Sequence, residues 1–294
     1  MLGSETAVAR QLRDGELRRV VRGVYRRAEF VPDQQDDADR YLTLLRATQL
    51  AMDETLVFSH LSAAALWGLP NPYTWADTVH AIHPPESGGR SNAHVRRHCV
   101  PLATAPIERE GLWVTDLART VADVARTCPP PVAVCMADAA LRGDRKADRR
   151  SLTRAEAERI VEANAGARGI KRARQVLAFA DPGAESPGES ISRWAIHVAG
   201  LAAPELQREF RDSTGVMRVD FWWPRFNVIG EFDGRRKYRG DAAMSGVEAE
   251  DVVIAEKDRE DRLRALGPTV VRWDWSTAQA PDALARLLRS RGIR

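Results

Sequence analysis

The alternation of apolar and polar residues predicts a β-hairpin over residues 218–234. Two short runs rich in β-branched and aromatic residues flank a turn at residues 224–227. If this turn is symmetric, Asp220 and Glu231 lie directly opposite each other on the two strands. The pattern therefore predicts an antiparallel hairpin that carries two facing carboxylates.

The facing pair of Asp220 and Glu231 is a candidate metal site. Directly opposite residues have Cβ atoms about 4.5–5.5 Å apart, so two carboxylates repel each other and lose hydration among apolar neighbours. A divalent cation relieves both effects, and Mg²⁺ prefers one or two carboxylates together with water and phosphate oxygens. The alternative is a solvated acidic face, which the apolar residues around the pair disfavour.

Helical spacing of apolar residues predicts further elements along the chain. A helix is expected over residues 36–53, and Ser59 is expected to cap a short helix that ends at Gly68. Residues 145–180 are helical and highly charged, which is typical of a solvated helix face. The turn-rich segment 181–188 follows, and a domain boundary is predicted there.

A second helix signal begins at Ser186. Ser186 as N-cap, Pro187 at the first helical position and Glu189 three residues after the cap form a predicted capping box. Glu189 therefore has a structural role available to it, which makes a metal role weaker for Glu189 than for the hairpin pair. A strand is predicted over residues 206–211.

Composition describes an ordinary soluble chain of about two domains. The 294 residues include 44 Lys and Arg against 41 Asp and Glu, for a net charge of +3, so any nucleic-acid surface must be a local patch. No apolar run approaches the roughly 20 residues of a membrane span, and the N-terminus lacks the apolar core of a signal peptide. The expected location is cytoplasmic, without a membrane partner. Three cysteines without CxxC spacing indicate neither a disulfide framework nor a thiolate zinc site.

Four histidines cluster in the first half of the chain. His80, His83, His94 and His98 lie close in sequence beside Cys99. In an alternating strand His80 and His83 point to opposite faces, which disfavours a shared zinc ion. We therefore expect strand and loop histidines that bind no metal.

Residues 15–27 predict a basic hairpin in which Arg22, Arg26 and Arg27 meet phosphates. The run GELRRVVRGVY, which begins at Gly15, resembles the last helix and wing of the winged-helix module in AbiEi-type antitoxins. Few residues precede this run for a complete winged helix. The alternative is a small surface hairpin that packs on the next domain.

The resemblance to the AbiEi-related family extends over about residues 10–145. Its carriers are VFSHLSAAALWGLP at 57–70, VTDLARTVAD at 114–123 and ADAALR at 137–142. The resemblance implies a DNA-binding antitoxin or transcriptional regulator, with a cognate toxin or a second copy of the chain as a possible partner.

Residues 185–294 resemble the PD-(D/E)xK nuclease superfamily, in the compact branch of very-short-patch repair (Vsr) endonucleases. The carriers are Glu189, Asp220 in RVDFWWP, Glu231 in GEFDG, the basic stretch DRLRALG at 261–267 and the strand VVRW at 270–273. By this resemblance Asp220 and Glu231 hold Mg²⁺ or Mn²⁺, the Phe232 carbonyl is a further ligand, and Glu189 reaches the ion directly or through water.

One residue departs from the nuclease pattern. The family has a lysine two residues after the second acid, whereas this chain has Asp233. Asp233 shares a face with Glu231 and is a further candidate metal ligand, but it is no cationic activator. Lys257 and Lys237 are the candidates to supply the missing charge.

The function that the resemblance implies is metal-dependent hydrolysis of DNA phosphodiesters, in phage defence, DNA repair or a toxin–antitoxin context. The metal polarises the phosphate and activates water, and a nearby lysine stabilises the developing charge. Flanking phosphates are assigned to a set of arginines: Arg235, Arg236, Arg239, Arg259 and Arg262. The alternative is a non-catalytic DNA-binding antitoxin or regulator with a degenerate nuclease fold.

The expected fold class is α+β or α/β. An N-terminal winged-helix-like and AbiEi-like region precedes a restriction-endonuclease-like α/β domain with a central mixed sheet. The predicted ranges are 1–35 for the partial winged-helix-like region, 36–150 for the AbiEi-like domain, 151–184 for a helical linker and 185–294 for the nuclease-like domain.

Overall fold

A computed structural model describes residues 5–30, 36–83, 91–92, 94–102, 104–146, 148–234 and 246–294. The helices are α1 Glu5–Arg13, α2 Asp37–Leu50, α3 His60–Leu66, α4 Leu117–Thr127, α5 Pro130–Arg142, α6 Arg154–Ala163, α7 Ile170–Phe179, α8 Pro187–Val198, α9 Gly246–Ala265, α10 Trp275–Ala278 and α11 Pro281–Arg289. The strands are β1 Leu17–Val21, β2 Val24–Arg27, β3 Val57–Phe58, β4 Val79–His83, β5 Val95–Cys99, β6 Ile107–Arg109, β7 Leu112–Val114, β8 Glu205–Asp212, β9 Gly215–Trp223, β10 Val228–Asp233 and β11 Thr269–Asp274.

The chain divides into two compact α+β units. The first contains Met1–Pro129 and Gly143–Ala178, and the second contains Pro130–Arg142 and Phe179–Arg294. None of the helices in the described part of the chain combines the length and apolar character needed to cross a lipid bilayer.

The first unit contains a basic hairpin and a mixed sheet. Strands β1 and β2 pair antiparallel, as the sequence predicts for residues 15–27. The five-stranded sheet has the order β5-β4-β3-β7-β6, with parallel pairing of β4 with β5 and of β3 with β7. Helix α3 follows the central strand β3 directly, so its first turn lies at the carboxyl end of that strand.

The second unit is built on a four-stranded sheet of order β11-β10-β9-β8. Strands β8, β9 and β10 are antiparallel neighbours, whereas β10 and β11 are parallel. One face of the sheet packs apolar residues of α8 and α11, including Ile191 and Leu284, and the other face packs Leu263 of α9. Both faces are therefore covered, which explains the dense apolar character of the two central strands.

The hairpin predicted over residues 218–234 is confirmed as β9 and β10. Val228 pairs with Trp223 and Gly230 pairs with Phe221, so the same register carried one residue further sets Asp220 opposite Glu231. A turn of 3₁₀ helix at Pro224–Phe226 and a left-handed Asn227 (φ 51°) connect the strands. Asn tolerates this conformation better than most residues, so the turn closes without a glycine.

Strand β9 changes the face that it presents at Asp220. Val219 lies in the core beneath α9 and Phe221 in the core beneath α8 and α11, although residues two apart in a regular strand share a face. The register of β8 with β9 is constant on both sides, and the pair that would join Gln207 to Asp220 is missing from it. Gln207 is in the left-handed region (φ 53°). Asp220 therefore lies at a local twist that frees it from regular alternation.

Two predicted helix caps need correction. Ser59 precedes α3, but its hydroxyl makes no capping bond to that helix and contacts the ring of His60 instead. Ser186 does cap α8 by accepting the N–H of Glu189, but the Glu189 carboxylate accepts the N–H of Glu185 rather than that of Ser186. The capping box is therefore only half formed, because the Glu189 side chain is drawn toward another set of donors.

The other helix predictions hold with adjusted limits. The helix expected over residues 36–53 is α2, and the charged segment 145–180 contains α6 and α7 with a break at 164–169. The predicted boundary at 181–188 lies just after the second unit resumes at Phe179.

Helix α5 belongs to the second unit although it lies far from the rest of that unit in sequence. Asp138 of α5 is fully buried, forms an ion pair with Arg193 of α8 at 2.8 Å and accepts the N–H of Asp181 at 2.7 Å. Burial raises the pKa of Asp138 to about 6. The pair fixes α5 against α8, and no sequence pattern indicated this assignment.

Gly230 is the point of closest approach between β10 and the aromatic core. A Cβ at this position would lie 2.6 Å from the Trp273 ring and 2.9 Å from the Trp223 ring. We expect Gly230→Ala to lower the free energy of unfolding by about 1–3 kcal/mol, because neither buried indole can move aside. Urea unfolding measures the change. Gly166→Ala, where the added Cβ has nothing within 4 Å, is the control and is expected to be neutral; equal stability of both variants would contradict the packing argument.

Candidate functional site

Asp220 is the most perturbed carboxylate in the second unit. It is half-buried at the twist of β9, and its Oδ2 accepts the N–H of Phe232 at 2.8 Å. Burial raises the pKa of Asp220 to about 7, and the charges of Glu189 and Glu231 act in the same direction. The Phe232 N–H and the charge of Arg259 oppose this rise without cancelling it. The carboxyl therefore gains its charge only near neutral pH.

Glu189 approaches the same place from α8. Its side chain is buried, and Oε2 accepts both the N–H of Glu185 and the Nε2–H of Gln207, each at 2.9 Å. Burial is also the main reason that the pKa of Glu189 is raised. Because both of these bonds use Oε2, they leave Oε1 to other partners. The left-handed Gln207 thus connects the twist in the sheet to the acid on the helix.

Glu231 is neutralised by two arginines. Arg259 of α9 donates to both of its carboxylate oxygens, at 2.7 and 2.9 Å, and Arg272 of β11 lies 2.9 Å from Oε2. Arg272 also forms an ion pair with Glu260 at 2.9 Å. The repulsion inferred from the sequence is thus relieved at Glu231 and persists at Asp220.

The remaining predicted site residues of the second unit differ in exposure and in their partners. Asp233 follows Glu231 on β10 and is partly exposed, and Lys257 is exposed on α9. Arg262 forms an ion pair with Asp212 of β8, at 2.7 Å. Four predicted residues lie outside the described part of the chain: Lys237, Arg235, Arg236 and Arg239. Arg259 and Arg272, rather than a lysine, are the cations that the described residues bring to the acids.

The predicted phosphate-binding arginines of the first unit lie on the β1–β2 hairpin. Arg27 is exposed and forms an ion pair with Glu29, and Arg26 donates to the carbonyl of Phe30. Arg22 and Arg26 line a cavity of about 590 Å³. Other arginines contribute to the same lining: Arg18, Arg19 and Arg40. The hairpin therefore presents a concentrated positive surface, although each predicted role remains a prediction.

Two features of the sites were not predicted from the sequence. Arg272 is the direct neighbour of Glu231 in the β10–β11 ladder, a position that only the register of two distant strands defines. In the first unit, His80 and His98 lie close to His60 of helix α3. His60 is not part of the group of histidines at residues 80–98 that the sequence pattern indicates. Both are contacts between elements far apart in sequence.

The protein is of the α+β class and has two units, one with a basic hairpin and one with a cluster of acids and arginines. No family model matches the chain. It is 35% identical over 271 residues to the uncharacterized protein Rv2248 of Mycobacterium tuberculosis strain H37Rv, which covers 89% of this chain and 86% of the relative. The uncharacterized protein MT2308 of Mycobacterium tuberculosis strain CDC 1551 is similar to the same extent. The chain therefore belongs to the family of these mycobacterial proteins.

Removal of the Asp220 charge is expected to stabilise the fold. A carboxyl whose pKa is raised on folding loses stability as pH rises from its unfolded pKa near 4 toward about 7, since the folded state holds the proton longer. A tenfold change in proton affinity corresponds to about 1.4 kcal/mol. We expect the gain in free energy of unfolding from Asp220→Asn to be about 2–3 kcal/mol larger at about pH 8 than at about pH 5.

Urea unfolding at the two pH values measures this difference. Asp212→Asn is the control with the opposite sign, because hydrogen bonds from Arg262 and Thr214 hold the pKa of Asp212 below its usual range. An Asp220→Asn protein that is less stable than the parent at the higher pH would show that the repulsion does not exist.

Removal of the Glu231 charge is expected to destabilise the fold. Glu231→Gln leaves Arg259 and Arg272 without their shared counter-charge in a largely buried place, so we expect a loss of about 3 kcal/mol in urea unfolding. Glu209→Gln removes a carboxylate whose ion pair with Arg211 is exposed, and it should change stability by less than about 0.5 kcal/mol. Equal effects of the two substitutions would contradict the buried network.

Proposed function

We propose that the second unit is a metal-dependent DNA endonuclease that hydrolyses phosphodiester bonds, with a fold related to the PD-(D/E)xK superfamily. The observation that carries the proposal is the state of Asp220, whose carboxyl is crowded by two other acids and holds its proton up to about neutral pH. A carboxylate kept under this repulsion is poised to accept a divalent cation, which would relieve it.

The oxygen donors suit Mg²⁺ or Mn²⁺. Asp220 and Glu189 each use one oxygen in the hydrogen bonds to backbone and amide donors, so the other oxygen of each is the natural ligand. Glu231 has both oxygens bound by guanidinium groups, and its contribution is to hold those groups in place. We therefore propose Asp220 and Glu189 as the principal ligands, with Glu231 and Asp233 around them.

Each residue of the site then has a defined task. A bound Mg²⁺ or Mn²⁺ would polarise the scissile phosphate and lower the pKa of the attacking water. Because a divalent ion competes with the proton for Asp220, metal binding is expected to strengthen as pH rises toward neutrality. We assign to Arg259, held by Glu231, the positive charge that the missing lysine would provide.

The first unit is proposed to hold the DNA. The β1–β2 hairpin places Arg22 and Arg26 with further arginines around one cavity and leaves Arg27 exposed beside it in sequence, as expected for contacts to phosphates. A winged-helix-like hairpin on an AbiEi-like domain would bring such contacts to the DNA backbone. A DNA substrate also agrees with the cytoplasmic location that we propose.

A second function has one specific observation in its favour. Glu231 is occupied by two arginines, and Asp233 stands where the nuclease pattern has lysine. These two facts are what a degenerate nuclease fold would show, in a protein that binds DNA as an antitoxin or transcriptional regulator without cutting it. A cognate toxin or a second copy of the chain would then be its protein partner.

The test is a plasmid-nicking assay with Mg²⁺, with Mn²⁺ and with a chelator. We expect the full-length parent to nick plasmid only with a divalent ion, and Asp220→Asn to bind DNA with unchanged affinity, to be inactive and to be more stable than the parent. The gain in stability separates lost chemistry from lost folding. Glu209→Gln is the matched control and should cleave like the parent.

Two outcomes would overturn the nuclease. Cleavage in the presence of chelator, or by Asp220→Asn, would show that the assigned metal site is not the site of cleavage. Tight DNA binding by the parent without nicking in either metal would favour the regulator.

A further inference from the structure

Three imidazoles converge in the first unit from three separate elements. His60 begins α3, His80 lies in β4 and His98 lies in β5, and one ring nitrogen from each lies within 4.8 Å of the other two. The His80 Nδ1 and the His98 Nε2 are 3.0 Å apart. The rings of His60 and His98 stack with centroids 3.6 Å apart and an interplanar angle of 15°.

The backbone holds these rings together. In the parallel β4–β5 ladder His80 pairs with Arg96 and Ile82 pairs with His98, so His80 and His98 are diagonal neighbours on one face. The N–H of Ser59 bonds to the carbonyl of His80 at 3.0 Å, which brings the start of α3 over the same place. His60 itself is in the left-handed region (φ 52°), a costly conformation that aims its side chain at the other two.

The environment keeps the three rings neutral, which is the form that binds a metal. Burial lowers the pKa of His80 to about 4 and that of His98 to about 3, and it lowers the pKa of His60 strongly. The nitrogens of His80 and His98 lie within hydrogen-bond distance of each other. His60 is buried, whereas His80 and His98 are half-buried.

We propose that His60, His80 and His98 form a binding site for a late transition-metal ion of the Zn²⁺ type. Imidazole nitrogen suits Zn²⁺, Co²⁺, Ni²⁺ and Cu²⁺, whereas Mg²⁺ and Mn²⁺ prefer oxygen. Two nitrogens bound to one tetrahedral ion at about 2.0–2.1 Å lie about 3.3 Å apart, close to the 3.0 Å between His80 and His98. Three histidines leave the fourth position to water or to another small ligand.

The groups around the rings support the site and limit its strength. The Ser59 hydroxyl lies 3.0 Å from His60 Nδ1. When it accepts a hydrogen bond from Nδ1–H, the His60 ring presents Nε2 to a metal ion. The buried Asp123 carboxylate acts on His98 but forms ion pairs with Arg119 and Arg126. Because these arginines and Arg96 oppose a cation, we expect weaker binding than at a structural site with four ligands.

This site is independent of the proposed nuclease. It lies in the other unit and uses nitrogen rather than oxygen donors. Zn²⁺ or Co²⁺ bound at the histidines should therefore remain in an Asp220→Asn protein.

Titration of the untagged full-length chain with Co²⁺ tests the proposal, because cobalt bound by imidazole absorbs visible light. We expect one equivalent of Co²⁺ to bind in the parent and in Asp220→Asn. Affinity should fall at least tenfold in His80→Gln and in His98→Gln. His94→Gln, an exposed histidine of the same unit, is the matched control and should bind like the parent.

A second measurement needs no substitution. X-ray absorption at the zinc edge of the parent with one equivalent of Zn²⁺ should show nitrogen ligands with the scattering pattern of imidazole. Affinity unchanged in both glutamine variants, or a first shell without histidine nitrogen, would overturn the site. Thermal unfolding of metal-free variants identifies any loss of affinity caused by misfolding, and the absorption spectrum of the parent then decides.

Discussion

The ion pairs between Glu231, Arg259 and Arg272 join the sheet of the second unit to the helix that covers one of its faces. Glu231 lies on the central strand β10, Arg272 on the edge strand β11 and Arg259 on the helix that covers that face. Buried ions are tolerated only when their partners compensate for lost hydration, and here one carboxylate receives two guanidinium groups. With Glu231 neutralised, the raised carboxyl pKa values are those of Asp220 in β9 and Glu189 in α8. The arrangement separates a structural acid from two acids that remain available for chemistry.

A local twist in the sheet makes this separation possible. In a regular hairpin Asp220 and Glu231 would share both face and partners, and the arginines would neutralise them together. The left-handed Gln207 and the missing ladder pair beside Asp220 turn the strand, while Gln207 itself donates to Glu189. One irregular residue thus changes the direction of the sheet and holds the helix acid near the strand acid. Irregular strand positions often serve to redirect a side chain in this way.

Local patterns predicted much of the fold, because hairpins and amphipathic helices depend on near neighbours in sequence. The β9–β10 hairpin and its register, the basic β1–β2 hairpin and helix α2 follow from alternation, turn residues and helical spacing. The position of Arg272 does not, since it depends on parallel pairing with a strand about 40 residues away, a register that no turn defines. The capping role expected for Glu189 was half wrong because its carboxylate accepts hydrogen bonds from the Glu185 N–H and the Gln207 amide instead. The His60–His80–His98 cluster was also not predicted. Alternation along a strand indicates which residues of that strand share a face, but not which residues of another strand or helix lie beside them.

The path of the chain between the two units has a consequence for how the protein is made. Residues 130–142 leave the ribosome well before the sheet of the second unit exists, yet the buried Asp138 finds its counter-ion only on α8. During synthesis the α5 segment therefore precedes α8, the helix that it packs against, by more than 40 residues. A fragment that begins near residue 185 would lack that helix altogether and would leave the Arg193 guanidinium without its carboxylate. The second unit can thus be completed only by residues that the chain places on both sides of residues 143–178.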